Sequence, residues 1–204
     1  MKKIVSTKTL ANIISKLKVK GKKVVLCHGV FDLLHVGHIK HLKKAKELGD
    51  KLVVTITSDR YVNKGPNRPV FNQNLRCESI AALEPVDYVV INDSPTAINP
   101  IKVIKPNIYC KGKDYKNLSD DITGEIKNEI KEIKKINGKL FFTEELTFSS
   151  SRLINRSTDF YSPGQKKIIK KISKISSFKN IKKIIEDFKK LRILVIGETI
   201  IDQY

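Results

Sequence analysis

Long apolar runs are missing from this sequence: nothing in its 204 residues approaches the ~20 consecutive apolar positions a membrane-spanning helix needs. The start, Met1-Lys2-Lys3-Ile4-Val5-Ser6, is basic but has no apolar segment behind it, which argues against a secretory signal. Cysteine is scarce. Cys27, Cys77 and Cys110 are odd in number and far apart, fitting neither a disulfide framework nor a zinc spacing, and read as reduced core thiols. The cytoplasm is therefore the expected compartment, without membrane insertion and without a protein-bound metal. Aromatic residues are only 7% of the chain and do not alternate with the basic ones, as stacking platforms for single-stranded nucleic acid would.

Acids are also in short supply, with 21 Asp/Glu against 40 Lys/Arg and a formal charge of +19. Between Tyr161 and Arg192 eleven Lys/Arg face two acids, so nearly half of the excess sits in one segment. The remainder is spread over stretches such as Glu125 to Lys135, where acids and lysines alternate. A solvated lysine-rich surface accounts for this pattern, and no nucleic-acid partner is expected.

What the chain does have is 40% hydrophobic residues in short runs, enough for a buried core. Leu10, Ile13, Ile14 and Leu17 predict a helix from Thr7 to about Leu17 with a stop at Gly21. The apolar run Val24 to Cys27 predicts a strand ending at Gly29, and a helix from about Gly37 to Leu48 follows. Further strands are expected at Leu52–Ile56, Tyr88–Ile91, Asn107–Cys110 and Leu140–Phe142. Helices are expected at Asn74–Leu83, Thr96–Ile104 and Asp121–Ile136, with a Ser-rich helix start after the last strand. Strands that are apolar throughout, alternating with helices, imply a five-stranded parallel sheet in a doubly wound, Rossmann-like α/β domain with helices on both faces. That domain would occupy residues 1–160. Beyond Pro163-Gly164, an apolar stripe from Ile168 to Phe188 marks a Lys-rich helical extension over 161–191, broken near Ser176-Ser177. Residues 192–204 open with Arg192-Ile193-Leu194-Val195-Ile196-Gly197, a buried-type strand.

In such a sheet, ligands bind at the carboxyl ends of the strands, which directs attention to the loop after the first one. Three of the four histidines, His35, His38 and His41, fall there within seven residues. Two histidines at i, i+3 on a helix can share a metal, but no carboxylate accompanies them as in helical zinc proteases. Gly37 between them, at the expected helix start, favours phosphate: the backbone can approach closely, and the helix N-terminus offers free N–H groups.

The segment Gly29-Val30-Phe31-Asp32-Leu33-Leu34-His35-Val36-Gly37-His38 resembles the G-x-F-D-x-x-H-x-G-H signature of the cytidylyltransferase-like nucleotidyltransferases. The similarity continues through Lys64-Gly65-Pro66-Asn67-Arg68-Pro69-Val70, Arg76, Ala82 to Asp87, Lys111-Gly112-Lys113-Asp114-Tyr115 and Ser149 to Ile154. Its K-G-x-x-R-P and K-G-x-D-Y elements are most similar to the adenylyltransferase half of bifunctional heptose kinase/heptose-1-phosphate adenylyltransferases. Glycerol-3-phosphate cytidylyltransferases resemble it less.

The resemblance implies that His35 and His38 contact nucleotide phosphates and stabilise the α-phosphorus in transit. It implies that Phe31 and Asp32 shape the turn, with Gly29 and Gly37 giving the nucleotide close approach. Lys46 or Lys64 would neutralise developing charge, Arg76 would bind phosphate or substrate, and Lys111, Gly112 and Asp114 would lie beside the nucleotide. Ser149, Ser150 and Ser151 would hold the β- and γ-phosphates. Two departures stand out: Cys27-His28 precede Gly29 where the family often has Thr or Asn, and Thr147 to Ser151 lacks the usual glycine of the closing loop. The tail from Ile193 to Tyr204 resembles the first strand of ribokinase-like sugar kinases, which implies fusion to a sugar kinase.

The expected reaction moves AMP or CMP from an NTP, ATP ahead of CTP, to a sugar 1-phosphate, heptose 1-phosphate first, with Mg2+ carried on the triphosphate and pyrophosphate released. A homo-oligomer is the expected assembly. The alternatives are a CTP-dependent cytidylyltransferase acting on glycerol 3-phosphate or another small alcohol phosphate, a nucleotide-binding module without turnover, and a basic membrane- or nucleic-acid-binding protein.

Overall fold

Five short apolar runs alternating with amphipathic ones produce the parallel sheet that such a pattern demands. The computed structural model describes residues 3–65, 67–113, 125–144 and 162–192, together with Gly197. The order is α1 (Thr7–Val19), β1 (Val24–Gly29), α2 (Val36–Glu47), β2 (Lys51–Thr57), α3 (Gln73–Ala81), β3 (Tyr88–Asn92), α4 (Ile98–Ile104), β4 (Ile108–Gly112), α5 (Ile126–Lys135) and β5 (Lys139–Thr143). A short 3-10 turn, Asp59–Tyr61, follows β2. All pairings are parallel, in the order β3-β2-β1-β4-β5. The chain winds outward from β1 through β2 to β3, then returns to lay β4 against the other side of β1. The carboxyl end of β1 is thus the point where the winding reverses, and a crevice opens there.

Alternation along β1 divides the core. Val25 and Cys27 join Leu42 and Ala45 of α2 and Cys77 and Ile80 of α3 on one face. Val24 and Leu26 join Leu10 and Ile14 of α1, Ile101 and Ile104 of α4 and Ile133 of α5 on the other. Backbone bonds between residues 3–5 and Val89 cover the outer side of β3, which would otherwise expose unpaired amides. Element ends are chemically specified. Ser6 caps α1 through Thr9 N–H, and Asn72 caps α3 through the N–H groups of Asn74 and Leu75.

The chain divides into two compact units, Met1–Arg156 and Ser157–Tyr204. In the second, Pro163–Ile175 (α6) begins with a Ser162/Gln165 capping box, and Phe178–Phe188 (α7) follows the break at Ser176-Ser177. No helix among the described residues is long and apolar enough to cross a membrane. The Ser-rich helix start and residues 193–196 of the strand expected from Arg192 to Gly197 lie outside the described residues.

Candidate functional site

At Gly29 the chain leaves β1 and must turn at once toward α2. Phe31 makes the turn in the left-handed region, φ +50°, a conformation costly for a bulky residue and commonest at functional sites. Its ring lies over Gly29, where an added Cβ would stand 3.1 Å from Phe31 Cε2, so any larger residue must displace the ring. Asp32 is buried and ties in the loop before α3. Its Oδ2 accepts from Arg68 Nε at 2.5 Å, and its Oδ1 from the N–H groups of Val70 at 2.7 Å and Phe71 at 3.3 Å.

His35 is the N-cap of α2, its Nδ1 accepting from the Gly37 N–H at 3.1 Å. That bond places the proton of the neutral ring on Nε2. His38, in the first turn, stacks on His35 with centroids 3.8 Å apart and meets the Phe31 ring edge at 5.2 Å. His35 Nε2, His38 Nδ1 and Arg68 Nη2 are buried without a hydrogen-bond partner among the described residues. An unpaired buried polar atom costs ~1–3 kcal/mol, and three such atoms, two at the start of α2 and one on the loop before α3, mark a place built for a polar ligand.

The electrostatics agree. Burial, followed by the positive potential of His35, His41 and Lys64, holds His38 down to about 3, and burial lowers His35 as well. Both rings are therefore neutral at pH 7 until an anion arrives. Lys64 is exposed overall, yet protein around its ammonium, and then the charge of Arg68, lower its pKa while Asp32 opposes them.

Next to the stacked pair, at the carboxyl ends of β1, β2 and β4, lies a cleft open to solvent. Its walls include His28, Gly29, Thr57, Lys64 and Lys111. His35 and His38 do not line this cleft; they border it beyond Gly29, and Lys64 links the two. At its floor, Lys111 pairs with the buried Glu129 at 3.4 Å, and Glu129 also accepts from Tyr109 Oη and the Ala97 N–H, each at 2.9 Å.

Two cations expected at the site are engaged by protein partners. Arg76 is enclosed by the protein. It is 1% exposed and donates to the carbonyls of Phe71, Val30 and Thr57 and to Asp59 Oδ1, four of its five N–H groups. It clamps the loop after β1 to the end of β2. Lys46 is also removed from the chemistry, because its ammonium bonds Asp87 Oδ2 at 2.5 Å beside Lys51, where β2 begins, at the opposite edge of the sheet. Asp32, expected to shape the turn, is bonded to Arg68 and two backbone amides.

Gly37 is buried at the helix start, and Gly112 ends β4 with open space where a Cβ would be. Asp114, Ser149, Ser150 and Ser151 lie outside the described residues. Two residues were not selected from the sequence. Arg68 sits inside the K-G-x-x-R-P element, but its buried, unpaired Nη2 emerges only from the fold. His28 was noted only as a departure. It faces the cleft with Nδ1 2.9 Å from Thr55 Oγ1, and burial lowers it to about 3. The three cysteines are free and buried, as expected of core thiols, and Cys27 and Cys110 are register partners on β1 and β4.

The cytidylyltransferase-like family model matches residues 26–156. The chain is 45% identical over 130 residues to the bifunctional protein HldE of a Nitratiruptor species, covering 62% of this chain and 28% of that protein. The HldE protein of Campylobacter fetus is 48% identical over 121 residues, covering 58% and 26%, and that of Syntrophotalea carbinolica 35% over 167 residues, covering 79% and 32%. The chain thus spans about a quarter to a third of the length of these curated relatives. Among solved structures, the lipopolysaccharide core biosynthesis protein of Thermoplasma volcanium superposes with a TM-score of 0.53 at 29% identity, covering 62% of this chain and all of that one. The pantoate-beta-alanine ligase of Francisella tularensis, with a TM-score of 0.55 at 22% identity over 83% of this chain and 77% of that one, shares the fold. The residues matched by the family model are those that build the stacked histidines and their cleft, and the chain belongs to the cytidylyltransferase-like family of nucleotidyltransferases.

Proposed function

We propose that this chain transfers AMP from ATP to a sugar 1-phosphate, heptose 1-phosphate first among them, releasing pyrophosphate. The observation that carries the reading is the stacked His35–His38 pair with its unpaired buried nitrogens at the carboxyl edge of β1. A sugar phosphate oxygen is already a nucleophile, so it can attack the α-phosphorus without a catalytic base. The β–α bridging bond then breaks and pyrophosphate leaves. Donors aimed at the transferring phosphoryl group supply most of the acceleration such a step needs. The Nε2–H of His35 and the Nη2 of Arg68 are such donors, and Lys64 adds positive charge. Asp32, Asp59 and Glu129 are all engaged by protein partners, which suits a magnesium ion brought in on the triphosphate and held by phosphates and water.

The choice of acceptor draws support from the K-G-x-x-R-P and K-G-x-D-Y elements and from relatives named as bifunctional HldE proteins. That word, together with the kinase-like pattern of residues 193–204, also supports fusion to a sugar kinase. The cytoplasm, where nucleoside triphosphates are available, is the proposed compartment. The test is pyrophosphate release measured with each of the four NTPs against heptose-, hexose- and glycerol-phosphate acceptors. The reading expects ATP with heptose 1-phosphate to give the highest kcat/KM; CTP with glycerol 3-phosphate in first place would overturn it.

A further inference from the structure

Cys27 and Cys110 lie directly opposite each other on neighbouring parallel strands, and their side chains share the sheet face that α2 covers. Both are fully buried. His41 of α2, one turn after His38, comes down onto the same spot, so that the two sulfurs and one ring nitrogen lie within 4.8 Å of one another. From these contacts we infer a metal site: Cys27, His41 and Cys110 bind a thiophilic divalent cation of the zinc type, both sulfurs as thiolates, with one coordination position left for water.

The surroundings of His41 match that role. Its Nδ1 is 2.8 Å from Thr143 Oγ1, and the Thr143 hydroxyl is directed at the Lys111 carbonyl at 3.4 Å. The Thr143 oxygen therefore accepts the Nδ1 proton, which leaves the lone pair of Nε2 for a metal. Ligating histidines are characteristically held this way through their second nitrogen. Zinc bonds of ~2.3 Å to sulfur and ~2.0–2.1 Å to nitrogen put ligand atoms ~3.5–3.8 Å apart, so contractions of about 1.3 Å or less close the site. Charge favours a divalent ion: two thiolates neutralise it, and a neutral unit minimises the penalty of burial. Binding displaces the two thiol protons to solvent. The hard Mg2+ of the nucleotide prefers oxygen ligands and does not compete. None of the three residues lines the cleft, so this site is distinct from the one above.

The probe is Co2+, added to the reduced, metal-free full chain. One equivalent should bind, giving a sulfur-to-cobalt charge-transfer band and visible d–d bands that Zn2+ abolishes. Cys27→Ser and Cys110→Ser should each remove most of the charge-transfer intensity, and Thr143→Val should weaken binding about 10-fold or more. Cys77→Ala, altering the cysteine outside the cluster, should leave the spectrum unchanged. The wild-type chain is decisive even where a variant fails to fold: absence of the charge-transfer band overturns the site. So does a band that persists when both Cys27 and Cys110 are serine.

Discussion

At the scale of single residues, the imidazole stack, Arg76 and Lys46 separate chemistry from scaffolding. His38 is held neutral by burial, and its contacts are the rings of His35 and Phe31 and the backbone of Leu33. His38→Ala should therefore lower kcat by about 100- to 1000-fold, or ~3–4 kcal/mol of transition-state stabilisation, with a nearly unchanged melting temperature. Steady-state pyrophosphate release and a thermal melt decide this, and near-normal turnover would sink the mechanism. Arg76 should behave oppositely. Arg76→Met strands three carbonyls and Asp59, so denaturant titration should register a loss of about 3–5 kcal/mol. A variant that stays equally stable and merely binds nucleotide more weakly would restore Arg76 to the site. Lys46→Met should leave kcat/KM within about twofold of wild type and cost no more than ~1 kcal/mol, because its partner Asp87 keeps Lys51 and the Leu52 amide.

At the scale of elements, the site depends on three segments meeting at one edge: the β1–α2 turn, the loop carrying Lys64 and Arg68, and the end of β4. Asp32 fastens the first to the second, and Arg76 on α3 fastens the turn to the end of β2. The placement of α3 thus matters to a site it does not line. Asn72→Ala removes the cap bonded to two α3 amides and should cost ~1 kcal/mol in denaturant titration, together with a rise in the KM for nucleotide as Arg76 loosens. A stability loss with unchanged KM would show that α3 and the turn are independent. Most of these elements are visible in the sequence, because a run such as Leu52 to Ile56 can be satisfied only by burial on both faces. The exact ends are not: β4 runs through Lys111 to Gly112, beyond the expected end at Cys110, since its pairing with β5 reaches further than the apolar run.

At the scale of the whole molecule, three histidines are buried in neutral form. His28 and His38 are lowered to about 3 and His41 to about 4, burial being the main cause for each, from an ordinary value of 6.5. Below about pH 6.5 the unfolded chain takes up protons that the native chain refuses until pH 4 or 3. Stability is therefore greatest above that value and falls as pH drops, by up to ~1.4 kcal/mol per pH unit for each ring. Urea titrations between pH 5 and 8 should show this slope, and His41→Gln should reduce it by about a third. Equal stability at pH 5 and 7 would contradict the neutral burial of these rings.

The sequence by itself determined the parallel α/β architecture, the candidate site after the first strand and the family, because periodicity and contiguous motifs are local properties of the chain. Only tertiary structure decided which charged residues are available to a ligand. Arg76, Lys46 and Arg68 look alike as letters, and each is assigned by partners at least four residues distant and mostly far along the chain: carbonyls for Arg76, Asp87 for Lys46, and Asp32 with one idle donor for Arg68. The approach of Cys110 to Cys27 and His41 was hidden for the same reason, since strand order and register brought them together.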